Sequence, residues 1–404
     1  MKLAGRLAHI EPFYVMECAK AARRIAHSPA CDPALGGTPM IYLNIGEPDF
    51  TAPAPVVAAA EAALRAGRTQ YTEALGLPAL RERISGWYRS RWGLDVGADR
   101  IVVTAGASAA LQLVCLALFE AGDEVLMPDP CYPCNRHFVA AAGATAAMLP
   151  TSAATRFQPD AAAVNANWNA RTRGVLLASP SNPTGTSIAP AELARIVAAV
   201  RERGGVSIVD EIYQGLSYDD AFQSCALALG DDVISVNSFS KYFCMTGWRL
   251  GWLVLPRALV EPVERLAQNL FICASSIAQH AALDCFDDDS LAECERRRAA
   301  LRARRDFLVP ALARLGLDVP VAPDGAFYAW VDVRAWSDDS WTFCSELAEQ
   351  AHLALTPGRD FGPAHAAAHL RLSFATALPL LEETVSRLDL LLAGKRRRDR
   401  RESA

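Results

Sequence analysis

Two periods of apolar and polar positions alternate along this chain. Segments 53–65 (PAPVVAAAEAALR), 77–91, 108–119 (SAALQLVCLALF), 135–142 and 190–204 (PAELARIVAAVRERG) carry a helical spacing. The first and last of these open on proline, and the last closes on glycine, as helices do. Between them lie short apolar runs: IVVTAG at 101–106, EVLMPDP at 124–130, TAAMLP at 145–150, GVLLASP at 174–180, VSIVDE at 206–211, DVISVNSFSK at 232–241 and LGWLVL at 250–255. Such runs predict strands, the second one stopped by its prolines. Strand, helix and strand in repetition, with strands apolar on both faces, predict an α/β fold around a mostly parallel sheet.

The character changes at about residue 287. ECERRRAALRARRDFLVPALARL at 293–315 predicts a long charged helix, and AFYAWVDV at 326–333 and LRLSFAT at 370–376 read as strands with one exposed face. This is an α+β pattern and predicts a second, smaller domain; periodicity leaves open which domain the first 45 residues join.

Composition narrows the class. The chain has 404 residues, 51% of them hydrophobic and 21% charged, which suits two domains with a substantial core and excludes a wholly disordered chain. The net charge of −5 argues against a general nucleic-acid binder, and the basic run at 394–403 reads as a solvated tail. No apolar stretch is long enough to predict a membrane span. His9, Glu11, Pro12 and Glu17 interrupt the N-terminal segment, which reads as mature protein rather than a signal peptide. The odd count of 11 cysteines points to reduced thiols and a cytoplasmic location. Cys131 and Cys134 form a CxxC, but without a second pair they read as neither zinc ligands nor a redox couple. His365 and His369, four apart, read as one face of a helix.

Four places carry candidate chemistry. Lys241 follows an apolar strand, with Ser238 and Ser240 before it and Arg249 after it. Hydroxyls and a guanidinium suit a phosphate, and a lysine among cations or away from water becomes an amine nucleophile or base; an ordinary surface loop is the plain alternative. Gly106, Ala107 and Ser108 lie between a strand and a helix, where free backbone N–H groups receive phosphate, though any tight turn would look similar. Asp210, at the end of a strand, could hold a cationic heterocycle nitrogen, with Tyr213 in reach; a metal role is weaker, since no histidine is near in sequence. Asn182 precedes a proline, which restricts its backbone, although SNPTG is also an ordinary turn.

Taken together, GEPDF at 46–50, SNPTG at 181–185, DEIY at 210–213 and SFSK…TGWRLG at 238–251 resemble the class I/II aminotransferases, pyridoxal-phosphate-dependent enzymes of fold type I related to aspartate aminotransferase. The resemblance runs from about residue 40 to about 375. It implies a seven-stranded large domain over residues 47–287 and a small domain built from 1–46 and 288–404. It also implies transfer of an amino group from an L-amino acid to a 2-oxo acid, with a lyase or decarboxylase on the same cofactor as the alternative.

By the same resemblance, Lys241 matches the lysine that takes up the cofactor aldehyde, and Asp210 the carboxylate paired with its ring nitrogen. Asn182 and Tyr213 match the pair at the ring oxygen, and Tyr132 the aromatic stacked on the ring. Ala107, Ser108, Ser238, Ser240 and Arg249 resemble the phosphate cup, with alanine at 107 where many relatives have glycine. Tyr71 resembles the tyrosine sent to the neighbouring subunit's phosphate, which implies a homodimer. Arg371 matches the arginine that clamps the substrate carboxylate, and Gly46 the glycine that closes over it. No arginine for a second substrate carboxylate is assigned: Arg24, Arg68 and Arg136 are expected at the solvated surface. Phe13, Tyr14 and Phe327 are candidates for an apolar side-chain pocket, with core packing the expected job of Phe327, so small apolar donors are favoured.

Overall fold

Apolar residues on both faces of the central strands decide the architecture. The computed structural model describes residues 2–402, with side chains through Lys395. In chain order the strands are β1 (Ile41–Tyr42), β2 (Ile101–Thr104), β3 (Glu124–Asp129), β4 (Thr145–Pro150), β5 (Thr172–Ala178), β6 (Val206–Asp210), β7 (Ile234–Ser238), β8 (Gly251–Val254), β9 (Tyr328–Asp332), β10 (Leu353–Ala354), β11 (Thr356–Pro357) and β12 (His369–Ser373). Seven form one sheet in the order β2-β8-β7-β6-β5-β3-β4. All its pairings are parallel except those of β8, which runs antiparallel to both β2 and β7.

Alternation along the strands splits the core into two layers. Leu176 and Ile208 face one, with Val102, Met127 and Val236; Val175, Leu177 and Val209 face the other, with Leu193, Ile196 and Val200 of the helix Pro190–Glu202. One strand departs from expectation. β3 runs through Pro128, which pairs with Leu149 of β4, whereas its pairing with β5 ends at Leu126. The proline's missing N–H therefore falls beyond the last β5 partner, where the ladder does not need it.

The smaller domain holds the parallel pair β1-β10 and the antiparallel sheet β11-β12-β9. Neither β9 nor β12 has an exposed face, contrary to the sequence reading. Ala329, Val331, Leu370 and Leu372 belong to the main core, which the helices Asp288–Arg314 and Leu378–Glu402 also enter. The register pairs Tyr328 with Ser373, Trp330 with Arg371 and Asp332 with His369 on the opposite face. That face is buried too, which is why polar residues there are not surface markers. His365 and His369 are not on a helix: His369 opens β12, stacks on Trp330 at 5.3 Å and meets His365 edge-on at 5.1 Å. The N-terminal helix Tyr14–Ala26 packs against β10 and β11 of the smaller domain.

Among the described residues no helix is long and apolar enough to cross a membrane. The solvated-tail reading of 394–403 rests on side chains beyond Lys395, which lie outside the described residues.

Candidate active site

The sheet gathers chemistry at one end. Asp210 is the last residue of β6, Ser238 the last of β7, Asn182 follows β5, and Tyr132 follows β3. The C-terminal edge of a parallel sheet is where such folds place ligands. Lys241, just past β7, donates from Nζ to the Gly46 carbonyl at 2.6 Å. Its ammonium lies 6.0 Å from the Tyr213 ring and 5.9 Å from the Phe327 ring. Removal from water pushes its pKa down to about 8; Arg371 and Arg249 push the same way, against Glu47 and Asp210. Burial raises Asp210 to about 7, while the Ile212 N–H donated to its carboxylate at 3.2 Å and the Lys241 charge oppose the rise. A buried carboxylate so little compensated is stabilised by any cation brought against it.

A polar cluster faces this pair. The Tyr213 and Tyr328 hydroxyls are 2.8 Å apart. Arg371, 2% exposed, donates from Nη1 to Asn182 Oδ1 at 2.9 Å and from Nη2 to the Asn44 carbonyl at 2.6 Å. Its guanidinium lies 4.4 Å from the Tyr328 ring centroid and 5.0 Å from that of Phe361, two favourable cation–π distances. Its buried Nε has no protein partner, and neither amide atom of the Asn44 side chain has one. Because Asn182 spends its oxygen on Arg371, its amide N–H groups stay available as donors. Gly46 is required by its neighbour: a Cβ there would overlap the Tyr328 hydroxyl.

The third group lies around the helix Gly106–Leu118, whose N-cap, Ala105, gives no side-chain cap. The first-turn N–H groups, at Ala107 and Ser108, are thus open to an anion. Gly106 has φ of 81°, and a Cβ there would meet Arg249 Nη2 at 2.6 Å; only glycine lets the guanidinium come this close. A Cβ on Gly251 of β8 would meet the Ala107 nitrogen at 2.9 Å. Ser238 Oγ accepts from the Ser240 backbone N–H at 3.0 Å, which ties the two residues into one turn. Alanine at 107 leaves this arrangement intact, because it is the backbone that donates.

Tyr132 completes the site. It begins the helix Pro133–Ala141, and its hydroxyl is within electrostatic reach of Asp210 and Tyr328. Phe13 lies edge-on to it at 6.1 Å. Tyr14 instead packs on Trp341 at 5.9 Å, and Phe327 is fully buried against Tyr213 at 5.5 Å. Tyr71 is apart from all of these and 79% exposed. Arg24 and Arg68 are exposed. Arg136 corrects the expectation of a solvated arginine: it is mostly buried and donates to the Asp360 carbonyl at 3.1 Å and to Glu11 at 3.4 Å. Cys131 and Cys134 are free thiols and burial raises both.

Sequence reasoning missed Tyr328, Asn44, Asp360 and Phe361. The one available signal is Tyr328, a hydroxyl at the start of a strand that is apolar up to Asp332. The others are polar or aromatic residues in ordinary surroundings, and only the fold brings them to the site.

The residues present fit pyridoxal phosphate. Open amides, two serines and Arg249 suit a phosphate dianion; Asp210 suits a protonated ring nitrogen; Tyr213 and Asn182 offer donors to a ring oxygen; Lys241 offers an amine to an aldehyde. Comparison with known proteins points the same way. The family model for aminotransferase class I and II matches residues 38–388. A valine–pyruvate aminotransferase of Mycobacterium tuberculosis is 40% identical over 94% of this chain and 96% of its own length. An arginine–pyruvate transaminase of Pseudomonas aeruginosa is 35% identical over 88% of this chain and 91% of its own. Among solved structures, an aminotransferase from M. tuberculosis superposes with a TM-score of 0.92 at 40% identity, covering 98% of this chain and all of that one. Aspartate aminotransferase from Thermus thermophilus with maleate gives 0.89 at 31% identity, covering 96% and 99%. This chain therefore belongs to the class I and II aminotransferases, enzymes of fold type I that use pyridoxal phosphate to move an amino group from an amino acid to a 2-oxo acid.

Proposed function

We propose that Lys241 is the amine that holds the cofactor and moves the proton at the substrate Cα, that Arg371 grips the substrate carboxylate, and that small apolar amino acids are the donors. When bound, pyridoxal phosphate supplies an aldehyde that takes up amines and a ring that accommodates the electron pair left at Cα. The rest is the work of this chain. A lysine at about 8 is neutral often enough near neutral pH to take a proton and return it. Asp210 keeps a proton on the ring nitrogen, and Tyr213 and Asn182 donate to the ring oxygen. Tyr132 stacks on the ring. Ala107, Ser108, Ser238, Ser240 and Arg249 hold the phosphate. Arg371 offers a fork that lysine cannot reproduce, and the Gly46 backbone closes over the same carboxylate.

The reading of the donor rests on the aromatic surface around Arg136. The Arg136 Nη2 is held by the Asp360 carbonyl and Glu11 while Nη1 is buried without a protein partner, and beside it Phe13 and Tyr132 present the aromatic surface that favours an apolar side chain. The M. tuberculosis relative named for valine and pyruvate agrees with this. The exposure of Tyr71 supports a homodimer in which it reaches the partner's phosphate cup, in a cytoplasmic enzyme. We place the large domain at 47–287 and the small one at 1–46 and 288–404.

The single observation that carries this reading is Lys241 itself, removed from water beside Asp210 and hydrogen-bonded to Gly46. The test is the absorption spectrum of the purified protein, followed by addition of single amino acids without an oxo acid. Loss of the lysine-bound band with one oxo acid released per site supports the reading, and the donor that reacts fastest names its class. A faster response to aspartate or glutamate than to valine overturns the donor assignment. A protein that shows no cofactor band with added pyridoxal phosphate overturns the role of Lys241.

A further inference from the structure

The helix Tyr14–Ala26 begins without a cap of its own: Phe13 is its N-cap and has no side-chain acceptor to give. The acceptor comes from the far end of the chain. Asp360, fully buried, takes the Tyr14 N–H on one carboxylate oxygen at 3.0 Å and the Val15 N–H on the other at 3.1 Å. A carboxylate in this position satisfies two otherwise open donors and suits the positive end of the helix. The same short segment holds the site from two further directions. The Asp360 carbonyl accepts from Arg136 Nη2, and Arg136 reaches on to Glu11. The next carbonyl, of Phe361, accepts from the Cys131 N–H at 2.9 Å, directly before Tyr132. The Phe361 ring itself lies 5.0 Å from the Arg371 guanidinium. Residues 360–361 thus connect the N-terminal segment, the start of the Tyr132 helix and the carboxylate clamp.

We propose that Asp360 is a positioning residue that sets donor specificity: by gripping the first turn of the N-terminal helix it fixes Phe13 edge-on to Tyr132, where the half-buried Phe13 ring forms the wall that limits the donor's side chain. The residue touches no substrate. It acts through Phe13, at a distance of one cap, and on this account the enzyme favours short branched donors over aromatic ones. The inference rests on the donor reading given above and names the residue that enforces it.

The test uses the full-length holoenzyme and compares valine with phenylalanine as donors. Asp360→Asn keeps one acceptor oxygen and loses the other. The ratio of kcat/KM for valine over phenylalanine should fall about tenfold, because one misplaced wall in an apolar pocket is worth roughly 10–200-fold in discrimination. Phe13→Ala should lower the same ratio by a similar factor, and the double variant should lower it no further, since the two act as one unit. Amide hydrogen exchange at Tyr14 and Val15 should quicken at least tenfold in the Asp360→Asn variant. Equal loss of activity toward both donors, or additive effects in the double variant, would mean a merely structural role and overturn the proposal. Should the wild-type enzyme react with no donor, the donor reading itself has failed; the exchange measurement still decides the clamp, because unchanged exchange at Tyr14 and Val15 refutes it.

Discussion

The Tyr213 hydroxyl meets the Tyr328 hydroxyl at 2.8 Å, and the Tyr328 ring carries the Arg371 guanidinium at 4.4 Å. One phenol thereby connects the group assigned to the cofactor's ring oxygen with the group assigned to the substrate carboxylate. Two hydroxyls at this distance make one hydrogen bond, with either as the donor. If Tyr213 donates to the cofactor, Tyr328 must donate to Tyr213, which strengthens the first bond in turn. Tyr328→Phe should therefore raise the pKa of the lysine-bound chromophore by about 0.3–1 unit, the worth of one modest hydrogen bond. A pH titration of holoenzyme absorbance reads the shift directly, and an unchanged midpoint would show that Tyr328 is packing only.

Asp210 trades stability for function. Its folded value of about 7 lies above the unfolded value near 3.8, so between these the folded state binds the extra proton. Stability is greatest below the unfolded value and is lost as pH rises through the window to 7. Asp210→Asn removes that loss. The cofactor-free variant should be more stable than wild type at pH 8 by roughly 1–4 kcal/mol, and the difference should vanish toward pH 4. With pyridoxal phosphate added, the proposed role of Asp210 predicts the reverse order, since the variant would lack the charge that holds the ring proton. Thermal denaturation of both forms at pH 4.5 and 8 tests both arms.

Lys241 has the opposite sign. Its folded value of about 8 lies below the ordinary 10.5, so in the cofactor-free protein stability rises with pH between the two. Lys241→Ala should abolish that slope, remove the lysine-bound absorption band and slow the half-reaction by at least about 10³-fold, the usual scale for a lost acid–base group. Stopped-flow spectroscopy with valine and fluorimetric melting at pH 8 and 10 check the two effects separately.

Arg371→Lys preserves the charge and removes the fork. The loss of paired N–H donors to the carboxylate, with Asn182 and Asn44 left partly unpaired, should cost about 10²-fold in kcat/KM for the donor. The lysine-bound band should persist, with at most a shifted pH midpoint, because on the proposed reading Arg371 reaches the cofactor only through Asn182. A variant that loses the spectrum as well would place Arg371 in cofactor binding.

Tyr71 is the test of assembly. If, as proposed, a second copy covers this exposed residue, Tyr71→Phe should weaken pyridoxal phosphate binding about tenfold, one charge-assisted hydrogen bond. Mixing Tyr71→Phe with Lys241→Ala subunits should yield hybrids in which the site with an intact Lys241 receives an intact Tyr71 from its partner. Recovery of wild-type affinity in a fraction of the sites, measured by titration after subunit exchange, supports the shared site; no recovery assigns Tyr71 to its own chain.

The large sheet was legible because its strands are apolar on both faces and its turns carry prolines and glycines, so that even TAAMLP at 145–150 coincides with β4. The small sheet was less so. β9 and β12 contain tyrosine, tryptophan, histidine and arginine on alternate positions, which in isolation reads as a wetted face, but the register turns all four inward. The site followed the same divide. Lys241, Asp210 and Asn182 announce themselves by local motifs at strand ends. Arg136 does not, because nothing near it in sequence reveals that Asp360 will supply its acceptor. Tyr328, Asp360 and Phe361 act on residues hundreds of positions away, and no local window contains both halves of such a contact.

That separation has a consequence for how the enzyme comes into being. The Arg371 bond to Asn44 spans 327 residues, and β1 finds its partner only when β10 has been made. The phosphate cup and Lys241 all lie between Gly106 and Gly251 and require neither. Domains generally fold as units while synthesis proceeds. On the proposed roles, a nascent chain can therefore assemble its cofactor seat well before it owns a substrate clamp, which waits for β12 and Arg371.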